Sequence, residues 1–215
     1  MPQTSLIAAR QEWQTAWSIP VFRVKLITAV ILTIATLSTM PIFFQWAEGR
    51  HGALLNDPVL RLLSPHNVSI PIFMLIWILA GLGIYRAFSN PKILLTFLWV
   101  YVLLTVTRFL TITLVPLEPP VGLIGLVDPL SNFFYGAKYV TKDLFFSGHT
   151  STMFLIYFVL PGKGDKRLAL FVTISVGILL LVQHVHYTLD VLVAFPGCWL
   201  CWWIIVKTVL RDDHS

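Results

Sequence analysis

The sequence predicts an all-α integral membrane protein, a bundle of six spanning helices, and three observations carry that prediction. Of the 215 residues, 57 % are apolar and 12 % are charged; a water-facing domain carries about a quarter charged residues. Mean hydropathy is +0.80. The apolar residues also gather in six long runs, with most charges in the connections between them. A chain of this size has no water-facing fold that hides so much apolar surface, and the bilayer is its natural solvent.

The elements follow in order. Residues 1–20 lack the long apolar core and the small-residue cleavage site of a signal peptide. They read as a short cytoplasmic or interfacial segment that could form an interfacial helix carrying Trp13 and Trp17. Residues 21–210 form the spanning domain, and 211–215 a cytoplasmic tail. The six segments lie near 24–46, 70–88, 93–115, 145–160, 168–187 and 189–209. A spanning helix needs roughly 20 apolar residues. The fourth run is short, and is extended at its start by Phe145, Phe146 and the Ser-Gly-His-Thr stretch. The connections are 47–69, a short SNPK, the long 116–143, a short PGKGDKR and a tight turn at 186–188. There is no internal repeat. Eight Trp and six Tyr supply rings that favour the membrane interface.

Lys and Arg set the orientation. Ten lie on the amino-terminal side: Arg10, Arg23, Lys25, Arg86, Lys92, Lys163, Lys166, Arg167, Lys207 and Arg211. Four lie opposite: Arg50, Arg61, Lys138 and Lys142. Both termini are therefore expected in the cytoplasm, with the first, third and fifth connections facing the other side. The net charge of +5 does not point to nucleic acid, because the basic residues form no stripe along which phosphates could be neutralised. Cys198 and Cys201 have a C-x-x-C spacing, but inside an apolar run they read as small packing residues.

Ionisable residues inside membrane segments are costly, so each is a functional candidate. Here they are Arg108, His149, His184, His186 and Asp190. With the orientation above, all five fall at the same non-cytoplasmic level. His186 and Asp190 are four apart and share a face if helical. A carboxylate beside an imidazole fixes its tautomer and leaves the other nitrogen as nucleophile or base. Ser147 and Gly148 precede His149, where a helix amino terminus and a close backbone approach suit an anion. Arg108 could clamp a phosphate through its guanidinium fork. His184, Tyr187 and Asp143 are candidates to support these groups. The bland readings are interhelical hydrogen bonding for a single histidine, snorkelling for Arg108, and zinc for the His-Val-His pair. No third strong ligand stands beside that pair, so no metal is assigned. His51, His66 and His214 receive no role.

These fragments resemble the sphingomyelin synthase branch of the lipid phosphate phosphatase (PAP2) superfamily. Asp143-Leu-Phe-Phe-Ser-Gly-His-Thr150 resembles that branch's D-x3-S-G-H-T, and His184-Val-His-Tyr-Thr-Leu-Asp190 its H-x-H-Y-T-x-D. The stretch from Arg108 to Pro120 and the DPVLRLLSPHNVS of the first connection resemble further family stretches more loosely. The resemblance implies a six-helix bundle that moves a lipid headgroup through a covalent phosphohistidine, without a cofactor. It implies His186 as nucleophile, Asp190 as its partner, His149 as acid and then base, and Arg108 on the phosphate. The chain departs from the family's pattern at Thr141-Lys142, at Phe195-Pro196-Gly197 and at Ile205-Val206. Of the superfamily's phosphatase pattern, the Lys-x6-Arg-Pro is absent and Leu179-Leu180 stands where Ser-Arg is expected.

The function expected is transfer of a phospho-headgroup from a membrane phospholipid donor to a ceramide- or diacylglycerol-like alcohol. The alternatives are a hydrolase with the same residues, a transporter, and a non-catalytic scaffold. Polar residues lining a path at midplane depth would have favoured transport. Headgroup, acceptor and oligomeric state stay open, and the sequon Asn67-Val68-Ser69 on the outer side has meaning only in a secretory context.

Overall fold

The computed structural model describes residues 3–126 and 140–211. Lys138 and His214, and all but the first residue of the expected tail, lie outside the described residues. Seven α-helices occur among them: α1 Gln3–Ser18, α2 Pro20–Glu48, α3 Ser69–Ser89, α4 Pro91–Leu114, α5 Gly148–Val159, α6 Lys163–Val182 and α7 Thr188–Lys207. No strand occurs among the described residues; a single β-bridge joins Ala53 to Leu117.

The six apolar runs fall on α2–α7. Four helices, α2, α3, α4 and α7, are long and apolar enough to cross a membrane. Their apolar side chains face outward: Ile27, Ile31 and Ile34 on α2, Ile70 and Ile78 on α3, Leu110 and Leu114 on α4, Leu192 and Trp199 on α7 are all exposed. Surface of this kind fits a multi-pass membrane protein, because lipid solvates it and water does not.

Local chemistry sets the helix starts. Pro20 and Pro91 open α2 and α4 where a missing N–H costs nothing. The Asn90 side chain caps α4 by accepting from the Lys92 N–H at 2.9 Å. The fourth run begins later than expected, at Gly148, because the Ser147 hydroxyl caps the helix by accepting from the Thr150 N–H. Phe145 and Phe146 therefore precede α5. The fifth run ends earlier, at Val182 instead of near residue 187. There Gln183 turns its amide onto neighbouring segments and His184 adopts a left-handed φ of 56°.

α4 is the central helix, packed against α2, α3, α5 and α7. One apolar cluster joins Leu95, Val100 and Leu104 of α4 to Leu155 of α5 and Ala194 and Cys198 of α7. A second joins Ile72 and Leu79 of α3 to Met153 and Ile156 of α5 and Val172 and Val176 of α6. The short α5 thus lies between two clusters. α1 packs on α2, α3 and α4 at one pole of the bundle, where the Trp13 indole donates to the Phe88 carbonyl at 2.9 Å.

The opposite pole is held by hydrogen bonds between connections and helix ends. The Asp57 carboxylate accepts from the Thr188 N–H at 2.7 Å and hydroxyl at 3.0 Å, so the first connection caps α7. The Arg50 guanidinium donates to the carbonyls of Ile112 and Thr113 at the end of α4. Glu48 accepts from the N–H groups of Thr141 and Lys142 at 2.5 and 2.7 Å. Lys142 pairs with Glu118 at 3.0 Å.

Burial pushes the Asp57 carboxyl up, but hydrogen bonds donated by Thr188, Leu60 and Val59 outweigh it and hold the group below its ordinary value. The Gly52 N–H and the Lys142 ammonium lower Glu118. A carboxyl lowered on folding stabilises the fold above its unfolded value and loses that contribution as pH falls through the lowered one. The polar pole should therefore loosen below about pH 4. Asp57→Ala should cost about 1 kcal/mol at neutral pH, the usual cost of a lost capping side chain, and flatten that acid limb. Thermal unfolding in detergent between about pH 3 and about pH 7 measures both.

Candidate active site

At the polar pole the structure gathers residues from distant parts of the chain around a cavity of about 260 Å³. Arg108, Asp143, Gly148, His149 and His186 line it. So do Met40 and Phe44 of α2, Phe73 and Ile76 of α3 and Met153 of α5. Tyr101 lines it two helical turns from Arg108, about 10 Å along α4.

Arg108 is 5 % exposed. Its Nε donates to the Phe146 carbonyl at 3.1 Å, and its Nη2 forms a short ion pair with Asp143. The Thr111 hydroxyl, one turn on, donates to the Phe145 carbonyl at 2.7 Å. α4 therefore grips residues 143–146 immediately before α5. Gly148 is a spatial requirement: a Cβ there would stand 2.5 Å from the Arg108 guanidinium carbon. With one donor each on Phe146 and Asp143, the five-donor guanidinium keeps N–H capacity for a ligand at the cavity.

His149 stands in the first turn of α5, with its ring centroid 6.4 Å from that of His186 and the planes at 65°. A group bound between the rings would touch both. His186 and Asp190 are nearly inaccessible, at 1 % and 0 %. His186 Nδ1 stands 3.4 Å from Asp190 Oδ2, a loose approach that leaves the other ring nitrogen as the cavity-side atom.

The pairing of His186 with Asp190 does not arise from a shared helical face. α7 begins at Thr188, so His186 lies before the helix, and Asp190 sits in its first turn. Asp190 Oδ2 accepts from the Tyr187 N–H at 3.0 Å. This folds the chain entering α7 back over the carboxylate and delivers the imidazole to it. The Ser147 N–H also donates to the Asp190 carbonyl at 3.1 Å, linking the starts of α5 and α7.

Not every candidate reaches the cavity. Ser147 is fully buried as the cap of α5. Tyr187 donates its hydroxyl to the Glu118 carbonyl at 2.9 Å and ties the third connection to α7. Both ring nitrogens of His184 lie on backbone carbonyls, those of Val121 and Leu63, so it does not stand with His186 as a metal-binding pair. Sequence reasoning missed Asp57, Glu48 and Tyr101. Asp57 and Glu48 find partners far along the chain, and Tyr101 is one aromatic among many in an apolar run, so no local pattern marks them.

Helices with outward-facing apolar side chains fit the class of multi-pass membrane proteins, and their cavity gathers two histidines, a carboxylate behind one of them and a buried guanidinium. Residues 142–207 match the family described as PAP2 superfamily C-terminal. The match supports the PAP2 superfamily and, with it, lipid phosphatase- or phosphotransferase-type activity. The matched stretch contains Asp143, Ser147, Gly148, His149, His184, His186, Tyr187 and Asp190. The comparison with curated proteins finds no match.

Arg108→Lys and Gly148→Ala should each weaken binding of orthovanadate, a phosphate mimic, by roughly tenfold or more, the scale of one lost charge-assisted hydrogen bond. The lysine lacks the planar fork, and the added methyl displaces it. Titration calorimetry of the purified variants checks both.

Proposed function

We propose that the protein is a membrane lipid phosphotransferase of the sphingomyelin synthase-like branch. In this reading six helices, α2–α7, span the bilayer, both termini are cytoplasmic and the site opens at the non-cytoplasmic face. The observation that carries it is the lining of the cavity. Two histidines and a guanidinium line it together with apolar side chains of α2, α3 and α5. The polar groups suit a phosphoester and the apolar ones the hydrocarbon of a lipid.

The chemistry follows from the geometry. The cavity-side nitrogen of His186 attacks the phosphorus of a phospholipid donor. A P–N bond forms and the P–O bond to the glycerol breaks. The leaving oxygen takes a proton from His149. Asp190 holds the Nδ1 side of His186 and stabilises positive charge on the ring. Arg108 steadies the phosphate oxygens. In the second half His149, now neutral, takes the hydroxyl proton of a lipid alcohol. The alcohol oxygen attacks phosphorus, the P–N bond breaks and its electron pair returns to His186. No step requires a cofactor or a metal. The acceptor proposed is ceramide- or diacylglycerol-like.

The test is lipid chromatography after incubation in mixed micelles. A donor labelled in the phospho-headgroup is supplied with and without ceramide or diacylglycerol. A labelled new phospholipid that requires the acceptor is the expected result. A labelled water-soluble headgroup would instead make the protein a hydrolase, and no turnover of any donor would remove the enzymatic reading. His186→Ala should abolish turnover. His149→Ala and Asp190→Asn should each lower it by roughly 10²–10⁴-fold, the usual worth of a positioned acid–base or orienting group. Acid-labile, base-stable label on the wild-type chain would identify the phosphohistidine.

A further inference from the structure

His184 is the one candidate histidine turned away from the cavity. Its backbone takes a left-handed φ of 56°, which a non-glycine residue adopts only at a cost. Its ring is nearly buried, at 5 % exposure. Nδ1 lies 2.8 Å from the Val121 carbonyl oxygen and Nε2 lies 3.1 Å from the Leu63 carbonyl oxygen. One ring thus joins the first and third connections at the turn that carries His186.

Both partners are acceptors. A neutral imidazole has one N–H and one lone pair, so it satisfies one carbonyl and turns a lone pair on the other. Flipping the ring puts carbons where the nitrogens stand and loses both bonds. Only the doubly protonated ring donates to both. Gly122 makes room for this contact. It has φ +82°, and a Cβ there would stand 3.4 Å from His184 Nδ1 and 3.3 Å from Pro65.

The segment so held is part of the cavity wall. Residues 123–126 line it together with His186. Gln183 braces the same segment. Its side-chain amide donates to the Ile124 and Gly125 carbonyls at 3.2 and 3.3 Å, and its backbone carbonyl accepts from the Ile124 N–H at 3.2 Å. Among the described residues, the ionisable groups of these segments include Asp57, Arg61 and His66 of the first connection, Glu118, Lys142 and Asp143 of the third, and His186 and Asp190 on the turn and α7. Among the described residues the His184 ring bonds only to the two carbonyls: Asp57 holds Thr188, Glu118 holds Gly52 and Lys142, Asp143 pairs with Arg108, Asp190 holds Tyr187, and His66 Nδ1 lies on the Ser64 carbonyl.

We propose that His184 is a positioning residue whose doubly protonated ring pins the 121–126 wall of the cavity against the turn that presents His186. The proposal rests on the phosphotransfer reading only for its consequence, the placing of His186; the pin is a property of the fold. Deprotonation removes one of the two bonds, and the wall loosens.

Hydrogen–deuterium exchange of the full chain in detergent micelles tests this without turnover. Rates are followed at about pH 5 and about pH 8, the two sides of the imidazole range, and corrected for intrinsic exchange. The peptide covering 117–126 should lose roughly tenfold or more of its protection at the higher pH, the scale of one hydrogen bond from a charged donor. His184→Gln carries donors on one nitrogen only, and should show the lower protection at both pH values. Gly122→Ala is strained at φ +82° and should lower protection of the same peptide at acid pH. Peptides from α4 should exchange alike in all three proteins. Equal protection of 117–126 at both pH values in the wild type, or wild-type protection in His184→Gln at acid pH, would overturn the proposal. If phospholipid turnover is absent while the wall responds as expected, the phosphotransfer reading falls and the pin stands; a flat wall with normal turnover gives the reverse.

Discussion

The buried guanidinium of Arg108 is the constraint on which the rest of the polar pole depends. A charge on a helix inside the membrane is expensive unless it is paired and hydrogen-bonded. α4 meets that cost with Asp143 and the Phe146 carbonyl, both contributed by the segment that leads into α5. The same contacts fix where α5 starts, and so where His149 points. Gly148 leaves the guanidinium its place, since a Cβ there would stand 2.5 Å from it and force it to shift. The ion pair thus serves two ends, compensation of a buried charge and placement of His149.

The second histidine is placed by a different device. Asp190 lies in the first turn of α7 and accepts the Tyr187 N–H, so the residues before the helix curl over its carboxylate. The two helix starts are then joined by the hydrogen bond from the Ser147 N–H to the Asp190 carbonyl. Each histidine is carried by the start of a helix, and the two starts are tied to each other. A fixed separation of two imidazole rings is easier to hold on rigid helix ends than on free loops.

Over these helix ends lies a layer of connections held by long-range polar contacts. Asp57 reaches Thr188, Glu48 reaches Thr141, Arg50 reaches the end of α4, and Gln183 and His184 reach both long connections. The layer explains how polar connections of considerable length come to present fixed walls to a cavity. Each carries backbone groups that must find partners away from water, and the side chains of neighbouring connections supply them.

The amino-acid sequence by itself determined the apolar runs that became α2–α7, because a run of apolar residues long enough to meet lipid is a local property. It also determined the chemical types at the site, since histidines, an arginine and an aspartate in apolar surroundings stand out wherever they fall. Residues 1–20, read as a short interfacial helix with two Trp, hold a 16-residue helix. Tertiary structure alone decided which of these residues meet. Arg108 and Asp143 are 35 residues apart, and Asp57 and Thr188 are 131 apart. The spacing of His186 and Asp190 suggested a helical face, yet the pair is made by a helix start. Ser147, expected on a phosphate, is spent on capping. The physical reason is common to these cases: a residue's type limits what it can bond to, but the partner it finds depends on which helix ends the packing of the bundle brings to the same pole.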